Sequence, residues 1–259
     1  EDVFDFDPNL TLTTNVIDLS DVADAEINQD SGLDTIEDNL VLWLDAANPH
    51  AGARIDTNEL PSDNETIQTW IDLSGNNHHV TQNQELNKPI HKLNQQGGNG
   101  AIQFDGETQY IWGESNENLN EFSMIVVAKM GNIDFTGNNS GGAVVSIQEK
   151  GSDNFDAIVY HERDTTDRKF MHGSSEHARF YASSITEEST GPVILHDQVK
   201  NEAFKLYRNG AVVGEGTPVS TDKSNARFII GNRHFLTNTL DPSVNGYWYG
   251  DIYEVLVFN

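Results

Sequence analysis

Residues 70–79 read WIDLSGNNHH, and this stretch decides how the chain is expected to fold. An aromatic and β-branched run passes directly into a turn that is rich in Asp, Asn and Gly. Asp and Asn bond their own backbone and accept left-handed geometry, and Gly75 permits the chain to reverse. We therefore expect a strand that ends in a polar turn with a mainly architectural role.

Four further stretches flank this one in a fixed order. They read LVLWLDA at 40–46, NGAIQFDG at 99–106, FKLYRNGAVV at 204–213 and GDIYEVLVF at 250–258. In this order and spacing, residues 39–259 resemble the laminin-G-like, concanavalin A-like jelly roll of bacterial surface proteins. The resemblance implies an all-β fold of two packed antiparallel sheets, and a module that binds a ligand rather than one that catalyses a reaction.

The pattern of the chain from residue 40 onward favours the same fold class. Runs of apolar, aromatic and β-branched residues alternate with Gly, Asn, Asp and Ser clusters, as an all-β sandwich requires. Asn209-Gly210 predicts a two-residue hairpin of type I′. The predicted strands are 40–45, 67–71, 101–104, 109–112, 122–130, 143–149, 155–162, 168–172, 178–184, 191–199, 202–208, 211–215, 226–231 and 247–258.

Composition excludes several classes of function. The chain has 259 residues, with 41 acidic against 15 basic side chains and a net charge of -26. Nucleic-acid binding needs Lys and Arg on phosphates, so it is not expected. Anionic membrane surfaces are excluded for the same reason. No apolar run approaches the ~20 residues of a membrane span, and the absence of cysteine removes disulfides and thiol nucleophiles.

The first 38 residues differ from the rest of the chain. They are rich in Asp and Glu, and no Lys or Arg occurs before Arg54. We interpret 1–38 as an acidic N-terminal linker or an added edge strand, with a calcium-binding junction as the alternative. Residues 39–259 are expected to be one jelly-roll domain. Both ends suggest a monomeric module within a large secreted bacterial protein that carries neighbouring domains at the cell surface.

The connection between Gly231 and Gly250 is the first candidate binding site. It is long for a sandwich, and long loops are often functional. Aromatic faces beside amides and carboxylates suit a sugar. In the resembling family, ligand and calcium lie near the equivalent stretch. The candidates are Asn232, His234, Asp241, Asn245 and Trp248. The alternative is that Trp248 and Tyr249 simply alternate along a strand, one inside the core and one outside.

A second candidate is one face of a sheet. Basic and aromatic residues concentrate on three adjacent predicted strands, against an acidic background. Under strict alternation, residues two apart share a face, so His161 and Arg163 share one face of their strand, as do Arg179 and Tyr181 on a neighbouring strand. These side chains, with Phe170 and His172 between them, are predicted to line a groove. The alternative is a set of scattered solvent-facing residues.

Calcium is the expected cofactor. It needs six to eight oxygen ligands from carboxylates, amides and carbonyls, and the predicted loops supply them at Asp153, Asp156 and Asp241. The alternative for each is a solvated surface carboxylate. The turn at 104–106 is followed by Glu107-Thr108-Gln109, where members of the resembling family often carry paired acidic residues. This departure weakens the transfer of calcium ligands to that turn.

No catalytic pattern is present in the sequence. Retaining glucanases need carboxylates that alternate on one strand, in the pattern Glu-x-Asp-x-x-Glu, and no such run occurs. There is neither a Gly-x-Ser-x-Gly elbow nor a phosphate loop. The sequence predicts a non-enzymatic module of a bacterial adhesin, which binds a surface carbohydrate with calcium. The alternatives are a peptide- or protein-binding module, a structural spacer and a polysaccharide-cleaving enzyme.

Overall fold

The computed structural model describes residues 39–50, 60–134, 142–160, 168–174, 179–181, 185–217, 222–236, 242 and 246–259. The predicted acidic linker or edge strand at 1–38 lies outside the described residues. Within the described part of the chain, no helix is long and apolar enough to cross a membrane.

The chain folds into a sandwich of two antiparallel sheets, each with eight strands. Sheet A has the order β14-β13-β12-β7-β16-β5-β4, and β1 also pairs with β16; sheet B has the order β11-β10-β9-β8-β15-β6-β3-β2. The strands are β1 Leu40–Asp45, β2 Thr69–Trp70, β3 Val80–Thr81, β4 Ile90–Lys92, β5 Ala101–Asp105, β6 Ile111–Glu114, β7 Phe122–Met130, β8 Ala143–Glu149, β9 Phe155–Tyr160, β10 Phe170–Ser174, β11 Arg179–Tyr181, β12 Val193–Lys200, β13 Ala203–Arg208, β14 Ala211–Gly216, β15 Ala226–Ile230 and β16 Tyr249–Phe258.

The main hydrophobic core lies between the two sheets. Strand β7 shows how it forms, because its even-numbered residues are buried and its odd-numbered residues are half-buried. Successive side chains of a strand point to opposite faces, so Met124 and Val126 pack inward while Ser123 and Lys129 face outward. The outer face of sheet A is therefore partly open to solvent.

Strands β9 and β10 of sheet B are covered on both faces. Every described residue of β9 and β10 is buried. A second apolar cluster, which includes Phe155, Val159 and Met171, lies apart from the main core. A third cluster joins Tyr110 and Ile229 to residues of the 231–248 connection. Phe235 and Tyr247 of the last long connection thus pack against sheet B.

The turn at 70–79 ties the first strand to the domain, as predicted. One oxygen of the Asp72 carboxylate accepts the backbone N–H groups of Trp43 and Ser74, both at 2.9 Å. The other oxygen accepts the Ser74 hydroxyl at 2.8 Å and the His78 N–H at 2.9 Å. Because all four donors belong to the turn or to β1, this polar segment serves the architecture.

The predicted Asn209-Gly210 hairpin joins β13 and β14. Both residues have positive φ, 49° and 83°, as a type I′ turn requires. The Asn209 side chain also accepts the Ile194 N–H at 2.8 Å, which fixes the turn to the neighbouring strand β12.

Candidate functional site

A cleft of about 480 Å³ opens on the outer face of sheet A, near the end where β4, β5, β7 and β16 meet. This volume is within the range of about 300–1,000 Å³ that is typical of small-ligand sites. Its lining consists of Ile90, Gln95, Gln103, Phe104, Asp105, Gln109, Lys129, Met130, Gly131, Thr190, Tyr249, Gly250 and Asp251. Polar side chains, most of them uncharged or paired, thus dominate the surface that a ligand would meet.

One row of side chains across the sheet forms the polar part of the cleft. Lys129 pairs with Asp251 across β7 and β16, and Asp251 pairs with Gln103 across β16 and β5. The Gln103 amide donates to an Asp251 oxygen at 3.0 Å, and the Lys129 ammonium lies 3.6 Å from the other oxygen. The carboxylate therefore holds an amide and a cation in fixed positions that can bind hydroxyl groups.

Tyr249 gives the cleft an aromatic side. Its ring lies over Gly131, where an added Cβ would come within 2.7 Å of the ring carbons. The Gly131 N–H donates to the Tyr249 carbonyl at 3.0 Å. A glycine is thus required for this close approach, and any larger residue at position 131 would displace the ring.

Asp105 lines the cleft with a carboxylate that is already engaged. One of its oxygens accepts the N–H groups of Glu107, Thr108 and Gln109 at 2.8–3.0 Å, and the other accepts the Thr108 hydroxyl at 2.8 Å. Burial raises the pKa of Asp105, but these four donors outweigh burial and hold the pKa below its usual value. The residue is therefore an ionised turn-forming group.

The structure places the residues of the 231–250 connection differently from the prediction. Trp248 is 1% exposed and belongs to the main core, so its predicted role as a ligand-binding ring is wrong. The alternative was right, because Trp248 points inward while Tyr249 is half-buried in the cleft. Asn232 is fully buried, so its side chain is not available to a ligand either. Asp241 and Asn245 lie outside the described residues.

His234 lies on sheet B rather than in the cleft. Its ring stacks on Phe155 with centroids 4.6 Å apart and an angle of 5° between the planes. The ring is half-buried. His234 therefore remains a prediction for ligand contact, but it is not part of the site that the cleft residues form.

The predicted groove on the second sheet is only partly described. Phe170 and His172 point into the interior, where both are buried, so they do not line a groove. His161 and Arg163 lie outside the described residues. Tyr181 lies in β11 and pairs with Met171, while its side chain is outside the described part of the structure.

A buried set of charges links the two sheets, and it includes Asp156. His172 of β10 lies 2.8 Å from an Asp197 oxygen of β12 and 3.3 Å from an Asp156 oxygen of β9. The Lys223 ammonium lies 2.7 Å from the other Asp156 oxygen. All four side chains are fully buried, and we call them the interior ion network. Two carboxylates balance one lysine and a protonated histidine.

His172 is expected to make the fold sensitive to alkaline pH. Burial lowers its pKa, but the carboxylates of Asp197 and Asp156 outweigh burial and raise the pKa to about 10. The unfolded value is about 6.5. Since the folded pKa is the higher one, the stabilisation is complete below about pH 6.5 and is lost as pH rises through 10.

We therefore expect the free energy of unfolding to fall steadily between pH 7 and pH 10, measured by urea denaturation at each pH. His172→Gln should flatten this slope relative to the unchanged chain. The matched change His196→Gln should leave the alkaline slope in place, because burial lowers the pKa of that half-buried histidine. An equal slope in the unchanged chain and in His172→Gln would contradict a charged His172.

The described residues contain no cluster of acidic side chains that marks a calcium site. In that part of the chain, no three His, Cys, Asp or Glu side chains are grouped so that they could hold a metal. The prediction for Asp156 is wrong, because its carboxylate faces a lysine and a histidine rather than open space. Asp153 is exposed on a turn, and Asp241 lies outside the described residues, so both remain predictions.

Comparisons with known proteins support the fold. No protein-family model and no curated protein sequence matches the chain. Domain 4 of AbnA, a GH43 extracellular arabinanase from Geobacillus stearothermophilus, solved with arabinotriose, superposes with a TM-score of 0.57 and 18% identity, over 85% of this chain and 92% of that domain.

Two larger proteins contain a similar unit. Trypanosoma rangeli sialidase with 2,3-difluorosialic acid gives a TM-score of 0.52 at 10% identity, over 85% of this chain and 30% of that one. The receptor-binding domain of botulinum neurotoxin type G gives 0.50 at 12%, over 85% and 48%. The chain spans less than half of either protein, so these likenesses confirm the jelly-roll sandwich and nothing beyond it.

Proposed function

We propose that this domain is a non-catalytic carbohydrate-binding module, and that the cleft on sheet A is its site. The observation that carries the proposal is the joined row of Lys129, Asp251 and Gln103 beside the ring of Tyr249. Fixed amide, carboxylate and ammonium groups can each bind a sugar hydroxyl, and an aromatic ring offers a surface for the apolar face of a sugar.

The fold adds support to this assignment. Domain 4 of the arabinanase, which has the same architecture, was solved in complex with arabinotriose. A sandwich of this kind therefore accommodates a short, uncharged oligosaccharide. We propose the same ligand class for this chain, since the cleft residues with free hydrogen-bonding capacity are mainly glutamines.

The arrangement of carboxylates favours binding over hydrolysis. Glycosidases use one carboxyl group with a raised pKa as the acid and a second one as nucleophile or base. In the cleft, the pKa of Asp105 is held low by four donors, and Asp251 is held by Gln103 and Lys129. Asp105 is therefore not poised to deliver a proton to a leaving group.

The cellular setting is part of the proposal. A net charge of -26 with no cysteine suits a secreted bacterial protein, and the arabinanase whose domain shares this fold is described as extracellular. We propose a module of a large adhesin, monomeric and flanked by further domains. Weak binding by one module would be reinforced by the many copies on a cell surface.

Gln103→Ala is expected to weaken glycan binding about tenfold, because loss of one hydrogen bond of about 1.4 kcal/mol corresponds to that factor. The measurement is calorimetric titration with arabinotriose and a panel of neutral oligosaccharides. Gln198→Ala is the matched control, since this glutamine faces outward on β12 and does not line the cleft. Equal affinities of the two variants for the glycan would show that the cleft is not the binding site.

Calcium assistance is the further part of the proposal, and it is supported by the excess of carboxylates, which repel one another unless cations bind or screen them. We expect a chelator to lower the melting temperature measured by calorimetry. Matched ionic strength in sodium chloride separates specific binding from screening. A melting temperature that does not change with chelator would exclude structural calcium.

A further inference from the structure

The closest contact of the interior ion network is between Lys223 and Asp156. Lys223 precedes β15, and its backbone N–H and C=O both bond to Leu119, at 2.9 and 3.1 Å. These two hydrogen bonds fix the backbone position from which the Lys223 side chain extends. Its ammonium nitrogen lies 2.7 Å from an Asp156 oxygen, and both side chains have no exposed surface. An amine and a carboxyl group are therefore held together where bulk water does not reach.

This contact does not have the features of an ordinary hydrogen-bonded ion pair. Neither carboxylate oxygen of Asp156 makes a hydrogen bond of acceptable geometry with any described residue, although both are buried. A buried carboxylate is costly unless it is paired and hydrogen-bonded. The site therefore holds a buried carboxyl group with a lysine nitrogen 2.7 Å from one of its oxygens.

A charged imidazole ring lies beside the other oxygen of the same carboxyl group. The Nε2 atom of His172 is 3.3 Å from Oδ1 of Asp156, while its Nδ1 faces Asp197 at 2.8 Å. The imidazole ring stacks on Phe204 with centroids 4.1 Å apart. His172 is thus fixed between an apolar ring and two carboxylates, where it can polarise the Oδ1 oxygen.

We propose that Lys223 and Asp156 condense into an intramolecular amide cross-link. The ammonium transfers a proton to the carboxylate, because a low-dielectric interior favours the neutral forms. The neutral amine then attacks Cγ of Asp156. The Nζ–Cγ bond forms, the bond from Cγ to Oδ2 breaks, and Oδ2 leaves as water with two of the three ammonium protons. His172 stabilises the charge that develops on Oδ1, and its proton is not consumed.

The step needs no oxidant, reductant or cofactor. Reactants held at about 3–3.5 Å in the correct orientation react as if at very high concentration, which removes most of the entropic barrier. Amide formation also leaves the net charge of the interior ion network unchanged. One positive and one negative charge disappear together, and the Asp197 carboxylate still balances the protonated His172.

The cross-link would serve a role that this chain cannot fill with disulfides. The sequence contains no cysteine. The amide would join β9 to the segment before β15, and these two strands flank β8 on opposite sides in sheet B. A covalent bond between distant parts of the chain restricts the unfolded state, so the cross-linked domain would resist heat and pulling force.

Intact-mass spectrometry of the purified full chain tests the proposal. We expect a mass lower than the sequence mass by one molecule of water, and a protease digest with one branched peptide that contains both Lys223 and Asp156. Lys223→Met and Asp156→Ala should each show the full mass of their own sequence. His172→Gln should show the full mass or a mixture of the two forms.

The Lys223→Met variant distinguishes the amide from other reactions that lose one molecule of water. Asp105-Gly106 can cyclise to a succinimide of the same mass, but that loss would persist in Lys223→Met. Mass measurement also does not require the variants to fold. The full sequence mass in the unchanged chain, or a water loss that persists in Lys223→Met, would overturn the proposal.

Discussion

Lys223→Met is expected to lower the free energy of unfolding by about 3–5 kcal/mol, the cost of leaving a buried charge without its partner. Lys223 and Asp156 are both fully buried, so the carboxylate would have to remain ionised in an apolar interior or take up a proton. Loss of the proposed amide would act in the same direction. Urea denaturation at pH 7, followed by tryptophan fluorescence, measures the change.

Two further variants separate charge from packing. Lys205→Met changes an exposed lysine on β13 and should shift the unfolding free energy by less than about 0.5 kcal/mol. Lys223→Met combined with Asp156→Leu removes both charges and should recover the part of the lost stability that comes from the unpaired charge, since apolar replacement of a whole buried pair is often neutral, but not the part that comes from the proposed amide. If Lys223→Met were as stable as the unchanged chain, the interior ion network would be contradicted.

Trp248→Ala is expected to destabilise the domain by about 3–5 kcal/mol, as other large-to-small aromatic changes in cores do. Trp248 is 1% exposed, lies in the main core and packs near Phe170 with ring centroids 6.4 Å apart. Truncation would therefore leave a cavity between the sheets. Denaturant unfolding monitored by circular dichroism gives the change.

Leu236→Ala is the matched control for this prediction. Leu236 belongs to the same connection but is 47% exposed, so its truncation should cost less than about 0.5 kcal/mol. If Trp248→Ala kept full stability and lost glycan binding instead, the tryptophan would be a ligand contact, and its placement in the core would be contradicted.

Local patterning was sufficient to predict most of the fold. Strand β7 was predicted at 122–130 and occupies those residues, because a run of apolar and β-branched side chains extends over most of its length. The β13–β14 hairpin follows from Asn209-Gly210. Strands β3 and β4 were not predicted, because they have only two and three residues. Strand β3 pairs with Trp112 of β6, which is distant in the chain, and β4 pairs with residues 101–103 of the next strand, β5.

The candidate site was harder to predict, because it forms where strands distant in the sequence meet. Gln103 and Asp251 are 148 residues apart and meet through the β5–β16 register. In the sequence, Asp251 is only one residue of the last predicted strand, 247–258. Asp156 looked like a calcium ligand because its neighbours are polar, and only the long-range contact with Lys223 shows that its carboxylate faces inward.

Tyr249 illustrates the remaining ambiguity of a local pattern. Tyr247, Trp248 and Tyr249 are consecutive aromatic residues, and sequence alone does not say which one faces the core. The structure buries Trp248, places Tyr247 beside the Tyr110 and Phe235 cluster on sheet B, and brings Tyr249 into the cleft on sheet A. The alternation of inward-facing and outward-facing side chains was predictable, but which of these residues faces the core was not.

The central claim is that the cleft on sheet A binds a carbohydrate. The most direct test is a combined glycan and peptide array probed with the labelled domain and with its Gln103→Ala variant, in calcium and in chelator. We predict binding to neutral oligosaccharides that is weakened in the variant. Binding to peptides alone, silence on every glycan, or glycan binding of equal strength in both proteins would contradict the claim.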